Sequence, residues 1–140
     1  MIRLLIAIVA VIVGLAVGMA ANMGFVIINL QIFPLPEGVA WTDEEEIKSW
    51  LGTLPQTAFI LVFVAHLSQA FLGGLVAARI AKRNMMCVAI TIGVLTMVGG
   101  IMNMMSIPAP AWLWIEVPLY LVVAWIAAKI VMKQRSACAA

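Results

Sequence analysis

The sequence predicts an all-α integral membrane protein: four transmembrane helices forming two parallel-duplicated helical hairpins, both termini cytoplasmic, with a short amphipathic helix in the outer loop. Three observations carry that prediction. Of the 140 residues, 66% are hydrophobic and only 10% charged, and the mean hydropathy is +1.18, a balance far from that of soluble domains. Four apolar runs each reach the roughly 20 residues that a helix needs to cross a hydrocarbon core about 30 Å thick. Seven of the eight Lys and Arg (Arg3, Arg79, Lys82, Arg83, Lys129, Lys133 and Arg135) fall at one end of those runs, an asymmetry that marks the cytoplasmic side.

The first run, Ile2 to Leu30, follows Arg3 closely enough to suggest a secretory signal, but it is far longer than a signal's apolar region and is read as an uncleaved span. Residues 31–55 form the one long loop. It holds five of the six acids, Glu37 and Asp43 to Glu46, together with Lys48, so the net charge of +2 sums a basic inner face and an acidic outer one. No soluble basic domain for nucleic acid is present. Within the loop, Thr42 and Glu45 have capping-box spacing, Asp43 and Glu44 suit the positive end of a helix dipole, and Gly52 is placed to end the helix. A helix over Thr42 to Leu51 puts Ile47, Trp50 and Leu51 on one face, for the outer membrane surface or the end of the bundle. Trp41, Trp50, Trp112 and Trp114 then form an outer aromatic belt. The acidic run suits either cation capture at a pore mouth or capping and solubility; the capping spacing favours the second.

The other spans are Gln56 to Ile80, Met85 to Met105 and Ala111 to Met132. The whole chain, 1–140, is one membrane domain, with hairpin repeat one over about 1–83 and repeat two over about 84–140. Cys87 and Cys138 fall on the predicted cytoplasmic side, where thiols stay reduced, and the tail from Gln134 to Ala140 is expected to be loosely ordered.

Two short internal matches suggest the duplication. Val17-Gly18 and Asn22-Met23 of the first span match Val98-Gly99 and Asn103-Met104 of the third, eighty-one residues on. Ala77-Ala78-Arg79-Ile80 of the second matches Ala127-Ala128-Lys129-Ile130 of the fourth, fifty residues on. In chain order and at matching depths, they imply repeats related by a two-fold axis along the membrane normal.

The fifty-residue offset carries His66, the only histidine, onto Glu116, the only acid outside the long loop. Counting back from Arg79 and Lys129 puts both roughly 20 Å up their helices, in the outer half of the membrane. Asn22 and Asn103 fall somewhat further out. His66, Glu116, Asn22, Asn103 and Gln69 therefore form a candidate polar site open to the outside. Small residues at four-residue spacing (Gly14 and Gly18; Ala70, Gly74 and Ala78; Gly99 and Gly100 beside Thr96) mark the faces on which helices approach closely in lipid.

His66 suits a structural tie between helices as well as a working group, because imidazole bonds readily to a neighbouring carbonyl or amide. Glu116 is costlier, at about 2.5 to 3.5 kcal/mol for a carboxylate at the bilayer centre, and there it must be protonated, paired or wet. Two placements are open to it. If the last helix starts at Val117, with Pro118 in its first position, Ala111 to Glu116 run along the interface. If the helix runs on through Pro118, it kinks beside Glu116.

Ten methionines raise a copper(I) alternative, with Met19 and Met23 on one helical face, but methionine is a routine packing residue and no metal is expected. A single histidine makes haem ligation unpromising, and no cofactor is expected. No catalytic motif appears, so an enzyme would rest on His66 and Glu116 alone as an acid/base pair. In overall layout, in the Ala65-His66 pair and in the outer turn Pro108-Ala109-Pro110, the chain resembles small four-span bacterial membrane proteins of unassigned function. That resemblance extends over most of the chain and supplies no activity.

Two function classes remain. The favoured one is a structural or assembly subunit of the inner (cytoplasmic) membrane, a homo-oligomer or part of a larger complex, held through its small-residue faces and outer loop. The alternative is a small oligomeric channel or proton-linked carrier that uses the polar cluster. In both, the partners are the lipid bilayer and other membrane subunits, not nucleic acid.

Overall fold

The structure is a computed structural model that describes residues 1–40 and 42–138; Trp41, assigned above to the aromatic belt, lies outside the described residues, as do Ala139 and Ala140. Among the described residues, four helical segments are long and apolar enough to cross a membrane. Helix α1 (Ile2–Ile32) is about 46 Å long, well beyond the hydrocarbon thickness. It stops where Pro34 and Pro36 remove two backbone donors and disfavour helix just before them, with the Phe33 N–H still donating to the Asn29 carbonyl.

The loop helix differs in detail from its sequence prediction. Helix α2 is Glu44–Thr53, and its cap is Asp43, whose side chain accepts the Glu46 N–H at 3.1 Å. Thr42, the predicted cap, stands one residue too early. Gly52 lies inside the helix rather than ending it, because Pro55, just beyond the C-cap Leu54, is the stronger stop. Ile47, Trp50 and Leu51 are half-buried.

Helix α3 (Ala58–Ala81) and helix α4 (Met85–Ser106) are joined by a three-residue turn in which Lys82 and Asn84 have φ of 52° and 53°. A 3₁₀ turn, Ala111–Ile115, leads into helix α5 (Glu116–Ala137). Neither placement considered for Glu116 holds in full: Ala111 to Ile115 do stand apart from the helix, but Glu116 is its first residue and is fully buried. Pro118 falls in the first turn, where backbone N–H groups lack intrahelical partners anyway, so it requires no kink there. In the described part of the C-terminal tail, residues 134–137 are helical rather than loosely ordered. α5 continues to Ala137 because the Arg135 guanidinium donates to the Arg79 carbonyl and Arg79 donates to Gln134 Oε1 at 3.2 Å.

Helix α3 is the hub, packing on α1, α4 and α5; α4 packs on α5, and α1 meets α4 only slightly. The contacts are made by small residues. A Cβ on Gly14 would lie 2.6 Å from the Gly73 carbonyl oxygen, and one on Gly18 would lie 2.6 Å from that of Gln69. The α1 and α3 backbones therefore touch, which only glycine allows. Further cores are equally small: Ala10, Ala77, Ala81, Val88 and Ile92 in one, and Ala78, Ala89, Ala128 and Val131 in another. Large side chains such as Ile8, Ile12 and Val13 point outward, as lipid-facing positions should.

The burial pattern treats the two proposed repeats unequally. Each of the six buried residues of α5 (Glu116, Tyr120, Ala124, Ala127, Ala128 and Val131) lies fifty positions after a buried residue of α3. The α1–α4 match behaves otherwise: Ala10, Gly14 and Gly18 are buried, but the positions eighty-one further on, Thr91, Leu95 and Gly99, are exposed.

Candidate functional site

Four helices converge on the polar residues. His66 lies on the buried face of α3, and its ring reaches the start of α5. There the tautomer with its proton on Nδ1 donates to Glu116 Oε1 at 3.0 Å. The Tyr120 hydroxyl, one turn along α5, donates to the same oxygen at 2.7 Å. Glu116 is 0% exposed and His66 9%. The second carboxylate oxygen, Oε2, has no hydrogen-bond partner among the described residues.

Beside this group lies a cleft of about 390 Å³ between α1, α3 and α4, with polar walls formed by Asn22, His66, Gln69, Thr96, Asn103 and Tyr120. Asn22 donates to Gln69 Oε1 at 2.6 Å, which ties α1 to α3 one turn from His66. Asn22 Oδ1 and Thr96 Oγ1 are buried without partners among the described residues. Buried polar atoms are normally bonded, so these two oxygens, on residues of the cleft wall, carry unmet hydrogen-bonding capacity just beneath its surface.

No family model, curated protein or solved structure matches the chain. The site therefore has to be read from its own chemistry. Of the five candidate residues, Asn22, His66, Gln69 and Asn103 line one cleft and Glu116 is bonded to His66 behind it. Of the packing residues, Gly14, Gly18, Ala70, Gly74 and Ala78 lie in the contacts of α3 with its neighbours, and Gly100 lies against the hydroxyl end of Tyr120. Gly99 does not pack: a Cβ there meets nothing within 4 Å, and the residue lines the cleft instead. Met19 and Met23 also line it.

Tyr120 is the member that sequence reasoning missed. Its signal was present in the spacing, since a residue four after Glu116 shares its helical face, and the fifty-residue offset pairs it with Ala70. The group as a whole can accept and release a proton at a carboxylate–imidazole pair. The cleft can bind a small polar species next to it.

Proposed function

We propose that the chain works as a small membrane carrier or channel unit that binds a small polar solute in the α1–α3–α4 cleft, with the His66–Glu116 pair as its proton-binding element. The observation that carries this reading is the cleft itself, about 390 Å³ and walled by Asn22, His66, Gln69, Thr96, Asn103 and Tyr120, set in helices otherwise lined by apolar and small residues. A purely structural tie needs His66 bonded but needs no cavity beside it. Imidazole is the side chain that changes charge around neutral pH, and ionisable groups within membrane helices mark ion and solute paths.

An assembly role is the second reading, and Gly99 favours it. Its open face in the cleft wall leaves room for a helix of another subunit, and four helices alone are thin for an alternating-access carrier. The two readings meet in a homo-oligomer whose neighbouring copy closes the cleft.

The remaining arrangement follows from charge. The termini and the turn of residues 82–84 face the cytoplasm by the positive-inside rule, and α2 rests its Ile47–Trp50–Leu51 face on the outer surface of the inner membrane. A relation between α3 and α5 is supported by their matched burial, whereas the α1–α4 register weighs against duplication of the whole hairpin.

The test is solute-driven proton flux in proteoliposomes. The expected result is flux that Glu116→Gln and His66→Ala each reduce at least tenfold, as loss of a required proton-transfer group typically does. Flux equal to wild type in both variants would sink the transport reading, and a strictly monomeric protein without partners would sink the assembly one.

A further inference from the structure

The opposite end of the α1–α4 contact holds a second feature, unrelated to the cleft. Arg3, Lys82 and Arg83 line a pocket of about 380 Å³ whose apolar wall is Ile6, Ala7 and Ala81. A groove of about 390 Å³ begins there, since Ala7 and Asn84 belong to both, and runs between α1 and α4 along Ile8, Val11, Ile12, Cys87 and Thr91. The headgroup-sized basic pocket thus opens directly into an apolar channel pointing along the helices. Ile8, Val11 and Ile12 occupy one face of α1 by their three- and four-residue spacing.

Charge sharpens the feature. None of the Arg3, Lys82 and Arg83 side chains has a hydrogen-bond or ion-pair partner among the described residues, whereas those of Arg79 and Arg135, nearby at the same end, are both engaged by protein atoms. No acid competes, because Glu37 and Asp43 to Glu46 lie in the loop beyond the far end of α1 and Glu116 opens α5. Three free cations facing one pocket call for a multivalent oxygen anion, and guanidinium groups match phosphate in both charge and fork geometry.

We propose that this end of the α1–α4 interface binds one anionic phospholipid, with its phosphate on Arg3, Lys82 and Arg83 and an acyl chain in the groove along Ile8 and Ile12. A free phosphate would satisfy the cations but would leave the groove without a role. A lipid uses both parts, and basic pockets between membrane helices are known as anionic headgroup sites.

The test is native mass spectrometry of the full-length protein in detergent, titrated with phosphatidylglycerol, phosphatidylcholine or inorganic phosphate. One phosphatidylglycerol should bind with clear preference over phosphatidylcholine. Each basic residue near an anionic headgroup is worth about a factor of five, so Arg3→Gln with Arg83→Gln should weaken it by about 30-fold. Lys129→Gln with Lys133→Gln removes equal charge from α5 and should leave it within about twofold. Ile12→Trp, which keeps every charge and sits on an exposed position, should weaken phosphatidylglycerol by blocking the chain, and it decides the matter if the double arginine variant does not insert. Equal loss in the α5 variant would make the effect general surface charge and overturn the site. Equal binding of phosphatidylcholine, or phosphate competition combined with no effect of Ile12→Trp, would overturn the lipid assignment.

Discussion

Glu116 concentrates the energetics of the polar site, because one of its oxygens receives both the His66 N–H and the Tyr120 hydroxyl and all three side chains are buried. Removing one partner of such a set leaves the others unsatisfied, at about 3 kcal/mol for a buried pair. Removing both with apolar residues relieves that penalty. His66→Leu and Glu116→Leu should each cost about 3 kcal/mol, and the double variant should cost less than their sum by more than about 1 kcal/mol. Reversible unfolding in mixed micelles measures this, and strict additivity would show that the pair carries no coupling. Tyr120→Phe deletes one neutral donor to the carboxylate and should cost about 1 to 2 kcal/mol in the same assay. At this scale His66 and Glu116 were legible in the sequence because each is the lone ionisable residue of its kind in an apolar run. Tyr120 was not, since tyrosine is ordinary in membrane helices and only its position one turn after Glu116 gives it a partner. Thr96 was legible as a small residue but not as an unsatisfied hydroxyl, which depends on how far α1 stands from α4.

The helices themselves were legible from hydropathy, their ends less so. The start of α2 was displaced because Thr42, Asp43 and the following acids all suit a helix N-terminus, and only the chain's path selects among adjacent caps. Asp43→Ala should therefore destabilise α2 by about 1 kcal/mol, while Thr42→Ala should be silent; amide exchange of residues 46–51 distinguishes them. Small-residue stripes predicted which faces approach, yet spacing could not separate neighbours in the third stripe. Gly100 lies against the hydroxyl end of Tyr120, and Gly99 faces open space. Gly100→Ala must push the ring aside and should cost about 1 to 3 kcal/mol. Gly99→Ala gains the better helix propensity of alanine and should be neutral or stabilising by up to about 1 kcal/mol in the monomer. If Gly99→Ala instead destabilises only at high protein concentration, a second subunit is packing there, which ties this position to assembly.

At the level of the whole molecule, the arrangement rests on α3, whose two contact faces carry different evidence about origin. Its buried positions recur in α5 at the fifty-residue offset, from His66 and Glu116 down to Ala81 and Val131. Toward α1 the backbone contact of Gly14 and Gly18 has no counterpart eighty-one residues on, where the equivalent positions are exposed. A short motif match fixes residue types but not helical phase, and a shift of one residue rotates a helix by about 100°; that rotation separates the V-G-x-x-x-N-M likeness from the packing. The proposed membrane orientation is independent of this question and rests on the seven cations at one end of the bundle and the five acids in the loop at the other. Both free cysteines, Cys87 and Cys138, are exposed at the basic end, so they serve as natural reporters. In cells, both should resist an impermeant maleimide applied from outside and react once the membrane is permeabilised, whereas a cysteine placed at Thr42 in a Cys87→Ser, Cys138→Ser background should react without permeabilisation. Labelling of Cys87 or Cys138 from outside would reverse the orientation and would make the α2 face the cytoplasmic one. The cleft would then open toward the cytoplasm, and solute would be taken from that side.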